Sequence, residues 1–186
     1  MEDILLKQKA FFEAGNTWDT RSRRAVLQIL ANTVKEVCGE GKDTAAVLGQ
    51  VEDLRKNLYK WTGTGRLRLL LSLFAKPGSA GPVPHGTVLI DGSSAGDAGS
   101  ILAPLVSALA AGNTAVVLTP ASEAGEAVRR IVDETFTDDF VATVPAGGDE
   151  ETALSEQGFD FIYRCGASLP CRGREGFLAF SKLETE

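Results

Sequence analysis

The sequence has little of what metal and acid–base sites are usually built from. Its 186 residues include one histidine, His85, and three cysteines, Cys38, Cys165 and Cys171, none of them in a CxxC pair. One histidine among scattered acids supplies no ligand spacing, so no metal site is expected. An odd number of unpaired thiols suits a reducing compartment rather than a disulfide framework. Basic charge is also short: 19 Lys and Arg stand against 25 Asp and Glu, for a net charge of −6 and no basic stripe. Nucleic acid as a partner would lack its electrostatic footprint. No apolar run approaches the roughly 20 residues that cross a bilayer. The start, MEDILLKQKAFF, lacks the basic, apolar and small-residue order of a secretory signal. The expectation is a soluble cytoplasmic protein with neither a membrane nor a nucleic-acid partner.

What is present is apolar and patterned. Hydrophobic residues make up 44% of the chain, enough for one domain with a core, or for one domain plus a helical arm. Up to about residue 75 the apolar positions recur at helical spacing: Ile4 to Phe12, then Ala25 to Val37, then Val47, Val51, Leu54 and Leu58. Arg66 to Phe74 predicts a further short helix, and Thr20 is the expected cap of the second. The stretch 76–86 is dense in proline and glycine and is expected to be a linker. From 87 to 186 strands alternate with helices: GTVLIDG, GSILAPLVSALAAG, TAVVLT, EAGEAVRRIVDETF, FVATVPA, DEETALSEQ and FDFIYRC. Continuous apolar strands separated by helices predict a parallel sheet covered on both faces, a Rossmann-like α/β unit.

These residues carry a resemblance. FFEAGNT, FAKP, PHGTVLIDG, LAPLVSALAAGNTAVVLTPAS and FDFIYRCGAS occur in the order found in the N-terminal portion of the aldehyde dehydrogenase superfamily, and the first of them resembles its class 3 branch. The resemblance implies a helical arm and most of a cofactor domain. The family's catalytic domain, with its nucleophilic cysteine, has no counterpart in these residues. A truncated aldehyde dehydrogenase fold is therefore expected.

The resemblance also implies where cofactor chemistry would sit, and the residues there differ. The family's asparagine donor to the developing oxyanion falls on Ala95, with Ser94 before it. Alanine has no side-chain donor, and one such donor is worth roughly 2.7 to 4 kcal/mol. The lysine and glutamate that hold the adenosine ribose fall on Thr119 and Ser122, which lack the cation and the carboxylate. The glycine turn that meets the pyrophosphate keeps Gly166 but has Arg164 and Cys165 before it and Pro170 after it. No cofactor-binding residue is assigned on these grounds.

A pocket without cofactor can still catalyse by holding a reactive substrate in a productive conformer. The expectation is a non-redox, cofactor-independent cyclase or isomerase acting on an apolar, aldehyde-bearing small molecule in specialised metabolism. The alternative is a non-catalytic module that pairs with itself or with a full-length aldehyde dehydrogenase. Family relatives form dimers, so a homodimer is expected under either. The candidate catalytic residues are Asp91, Ser94 and Asp97 in the loop after the first strand, where open α/β sheets bind ligands, and His85 as a general base from the linker. Each has a plain structural alternative: Asp97 as a helix cap, His85 as a solvated loop residue. Ser93 and Ser100 are further hydroxyls in that loop. Cys165 and Cys171 are thiol nucleophiles or small buried residues, Trp18 and Trp61 core or interface anchors, and Arg164, Arg172 and Arg174 an anion site or a solvated face.

Overall fold

A computed structural model of the chain describes residues 2–62, 82–147, 158–166 and 169–183. The helices expected at Arg66–Phe74 and 149–157 lie outside the described residues, as does most of the expected linker. Three helices come first: α1 (Glu2–Glu13), α2 (Thr20–Cys38) and α3 (Lys42–Trp61). After β1 (Pro82–Pro84) follow β2 (Thr87–Asp91), α4 (Ala98–Ala111), β3 (Thr114–Thr119), α5 (Glu123–Thr135), β4 (Val141–Pro145), β5 (Phe161–Arg164), α6 (Gly173–Ala179) and β6 (Ser181–Leu183).

The sheet is parallel and four-stranded, in the order β4-β3-β2-β5. Alternation along each strand divides its side chains between two faces. Val88, Ile90, Ala115, Val117, Val141 and Tyr163 join the large core that also holds the apolar residues of α2 to α6. Leu89, Val116, Leu118 and Val144 form a second cluster on the other face, against Ile4 of α1 and Phe159. The central strands β2 and β3 are buried almost throughout because both of their faces are covered, whereas Ile162 and Arg164 of β5 are exposed. The α/β class and Rossmann-like parallel sheet expected from the sequence are the observed architecture.

Helix α4 lies at the centre, with every residue from Ile101 to Ala111 buried. Its small side chains let α3 and α2 approach on one side and the sheet on the other. Pro104 has no amide to offer the Ser100 carbonyl. That carbonyl instead accepts from the Cys165 thiol at 3.4 Å. At the other end Gly112 adopts φ 97°, the left-handed turn that ends the helix. The Arg23 guanidinium of α2 donates there to the carbonyl of Ala111 at 3.0 Å, a cation placed at the negative end of the helix dipole. It also donates to the Thr17 and Trp18 carbonyls, which ties the α1–α2 turn to α4. Burial brings its pKa down to about 10, so it stays charged at neutral pH.

Two local expectations differ from the structure. The cap of α2 is Asp19, which accepts from the Ser22 amide at 2.9 Å, and Thr20 is the first helical residue. Within the stretch expected to be a linker, β1 pairs antiparallel with β6, Pro82 opposite Leu183. A two-stranded ribbon tolerates prolines because an edge position does not require their missing amide.

Candidate functional site

The carboxyl ends of β2, β3 and β5 meet the N-termini of α4 and α5, the place where parallel sheets bind ligands. Asp91 ends β2, and its Oδ1 accepts from the amide of Ser93 at 3.1 Å and from its hydroxyl at 2.6 Å. This local turn is one that aspartate favours because its side chain mimics a backbone acceptor. Its Oδ2 lies 3.8 Å from Nε of Arg164, its register partner on β5. The pair therefore bridges the two strands at which the strand order reverses. Ser94 is exposed in the same loop.

Asp97 is the N-cap of α4, with its carboxylate 2.8 Å from the Ser100 amide. The Ser100 hydroxyl turns back to the Asp97 carbonyl. Gly92 packs against β3, where an added Cβ would lie 2.7 Å from the Leu118 carbonyl oxygen. That contact fixes the path of the loop out of the sheet.

On β3 and α5, the two residues at the expected ribose positions are used by the fold. Thr119 is fully buried and its hydroxyl donates to the Val144 carbonyl at 3.3 Å. Ser122 is the N-cap of α5 and accepts from the Gly125 amide. Gly125 itself is obligatory, since a Cβ there would fall 1.9 Å from the Pro120 carbonyl oxygen.

The structure brings Asp91, Ser94 and Asp97 to one end of the sheet and places His85 at the other. His85 precedes β2, stacks on Phe161 with ring centroids 4.6 Å apart, and is half-buried. Burial holds its imidazole below the ordinary histidine pKa. Six residues of extended chain separate it from Asp91, roughly 20 Å at the strand repeat, so the two do not share a site. Cys165 is buried, and burial pushes its thiol up to about 12, far from a thiolate nucleophile. Cys171 is partly buried beside α3 and α4, where its carbonyl accepts from Gln50 at 2.8 Å and from Ser107 at 2.7 Å. Arg172 and Arg174 are exposed at the start of α6. Trp61 packs on Phe177 with centroids 5.6 Å apart, whereas Trp18 is 59% exposed.

A cleft of about 260 Å³ opens beside this loop, where α4 begins against the end of α2 and the start of α3. Its walls are apolar, from Val34, Val47 and Leu102, with Asp43 and Thr44 at the rim. Gly99 keeps it open: a Cβ there would sit 3.4 Å from that of Asp43. Sequence reasoning missed Asp43 and Thr44. Their only signal is the glycine-rich connection before them, where Gly39 at φ 64° ends α2. A shallower depression of about 370 Å³ lies between Phe11, Ile29, Phe136 and Phe140, away from the sheet end. Among the described residues no group of His, Cys, Asp and Glu could hold a metal ion, and no helix is long and apolar enough to cross a membrane.

No protein-family model matches the chain. It is 27% identical to the 4,4'-diaponeurosporen-aldehyde dehydrogenase of Staphylococcus aureus, over 90% of this chain and 40% of that protein. It is 31% identical to human aldehyde dehydrogenase family 3 member B1, over 89% of this chain and 39% of that protein. Among solved structures, the substrate-bound state of Staphylococcus aureus AldH superposes with a TM-score of 0.65 at 28% identity, covering 87% of this chain and 39% of that one. The chain thus spans about 40% of the length of these relatives. It has an aldehyde dehydrogenase-like fold, and its extent is consistent with the N-terminal portion.

Proposed function

We propose that this aldehyde dehydrogenase-like unit binds an apolar aldehyde beside the β2–α4 loop and converts it without nicotinamide, as a cyclase or isomerase. One observation carries the reading. At the end of the sheet where a dinucleotide would lie, Thr119 is buried with its hydroxyl donated to the Val144 carbonyl and Ser122 caps α5, neither carrying a charged group, while a largely apolar cleft stands open where α4 begins. The name of the Staphylococcus aureus relative, which carries diaponeurosporen-aldehyde, puts apolar aldehydes first among the substrates to try. Ser94, exposed in that loop, is the hydroxyl this reading assigns to a substrate carbonyl, and Asp91, held by Ser93 and Arg164, is a fixed carboxylate in the same loop. Asp97 serves the helix as its cap.

The test has two arms. Calorimetry with NAD and NADP is expected to give no binding, and apolar dienals are expected to change in mass-neutral fashion, followed by chromatography, without added cofactor. Ser94→Ala should slow that conversion by about a hundredfold if its hydroxyl meets the developing oxyanion. Micromolar binding of either dinucleotide would sink the proposal.

A second reading, a non-catalytic pairing module, is favoured by Leu6, Ile29 and Trp18, large apolar side chains left exposed on and between α1 and α2. It predicts that no aldehyde is converted and that a full-length aldehyde dehydrogenase is retained on the immobilised chain.

A further inference from the structure

The cleft where α4 begins holds two nucleophiles besides its apolar walls. Cys38, the last residue of α2, and Lys42, the first of α3, both line it, among the side chains of Val34, Val47 and Leu102. The connection between the two helices turns at Gly39, φ 64°, and folds the thiol and the ammonium back onto one hollow. Of the three cysteines only this one lines the cleft. Cys165 is buried with its thiol on the Ser100 carbonyl, and Cys171 packs beside α3 and α4, whereas Cys38 is half-buried and faces the cavity.

A ligand that engages both groups needs a soft electrophilic carbon and, a few atoms away, an oxygen that gains negative charge. An α,β-unsaturated aldehyde has them: its β-carbon accepts sulfur, and its carbonyl oxygen takes the charge beside a compact cation. Lys42 and Asp43 put one charge of each sign at the exposed rim, which favours a neutral ligand over either ion. The volume of about 260 Å³ lies below the roughly 300–1,000 Å³ of sites for drug-sized molecules, and fits a short apolar chain.

We propose that Cys38 isomerises an α,β-unsaturated aldehyde in this cleft by reversible conjugate addition, with Lys42 facing the charged carbonyl oxygen. This rests on the cofactor-free reading above and names its substrate class and its nucleophile. The sulfur bonds to the β-carbon, the π pair of the double bond moves to give an enolate, and the α-carbon takes up the thiol proton. The α–β bond is then single and rotates. Reversal breaks the C–S bond, returns the proton to sulfur and re-forms the double bond in the other geometry. Nothing is oxidised, reduced or released. Burial holds the Cys38 thiol above its ordinary pKa, so that proton is present at neutral pH. One difficult step, rotation about a double bond, becomes two easier ones.

Geranial is the probe, and its conversion to neral, the isomer at the α,β double bond, is followed by gas chromatography without added cofactor. The native chain is expected to speed this conversion. Borohydride added during turnover reduces the adduct's aldehyde, blocks reversal and should leave a stable thioether on Cys38, located by peptide mass spectrometry. Cys38→Ser should lose both the thioether and the isomerisation while its circular dichroism stays native. Lys42→Gln should slow isomerisation about tenfold, less than the roughly hundredfold of a buried donor, because its ammonium is exposed. A native chain that forms no thioether on Cys38 overturns the inference, and so does isomerisation that Cys38→Ser retains. The two readings fail separately. Conversion without Cys38 leaves the cofactor-free reading standing, whereas dinucleotide binding removes that reading even where the thioether and the isomerisation locate to Cys38.

Discussion

The two ends of the parallel sheet differ in how their polar groups are used. At the amino end, fully buried Asn113 accepts from the Gly86 amide at 3.0 Å and donates to the carbonyls of Ala108 at 3.1 Å and Phe180 at 2.9 Å. Thr114 and Thr87 join hydroxyls across β2 and β3, and Asp160 takes the Thr87 amide. At the carboxyl end only Thr119 of the polar groups is fully buried, on the Val144 carbonyl; Asp91, Ser93, Asp97, Ser100 and Ser122 are half-exposed or exposed and are satisfied by residues two or three positions away, as in Asp91 with Ser93 and Asp97 with Ser100. The amino end joins distant segments through a buried network, where an unpaired group is costly. The carboxyl end is built from local turns, so its side chains can change without unfolding the protein. That is the end at which a binding function can be altered.

The comparison is broken most easily at Asn113. Asn113→Ala removes the side-chain partner of the buried Gly86 amide and of the Phe180 carbonyl, and is expected to cost about 3 kcal/mol in urea unfolding with an unchanged slope. Asp97→Ala removes a cap at the other end and is expected to cost about 1 kcal/mol by the same measurement. Equal losses at the two sites would mean the ends are not different in kind. The smallest effect sharpens the amino end further. Burial favours the neutral imidazole of His85, so the unfolded chain takes up the proton more readily. The contribution of this residue is whole above about pH 6.5, the unfolded value, and shrinks as pH falls through the lower folded one. His85→Gln should flatten stability against pH between neutral and mildly acidic conditions, and an unchanged slope would assign it to other groups.

Much of this was legible in the sequence, for a specific reason. Strand and helix alternation, Asp97 as a cap and the small-residue helix all depend on periodicity and on bonds spanning three or four positions. The rest depends on contacts between residues far apart. No local pattern marks Gln8 or Gln50, yet Gln8 donates to the Ala115 carbonyl and Gln50 to those of Ala103 and Cys171, all from buried positions. His85 and Asp91 sit close in sequence and are both candidate catalytic residues, but the strand between them sets them at opposite ends.

By itself, the sequence determined the α/β class, the strands and their two covered faces, and the replacement of charged groups at Thr119 and Ser122, because residue identity and local spacing decide these. Only the tertiary structure decided that β1 pairs with β6, that α2, α3 and α4 leave a cleft where α4 begins, and that Val141, Ala142 and Val144 of β4 are buried while Ile162 and Arg164 of β5 are exposed. Each of these follows from how distant segments pack, and no local pattern specifies that.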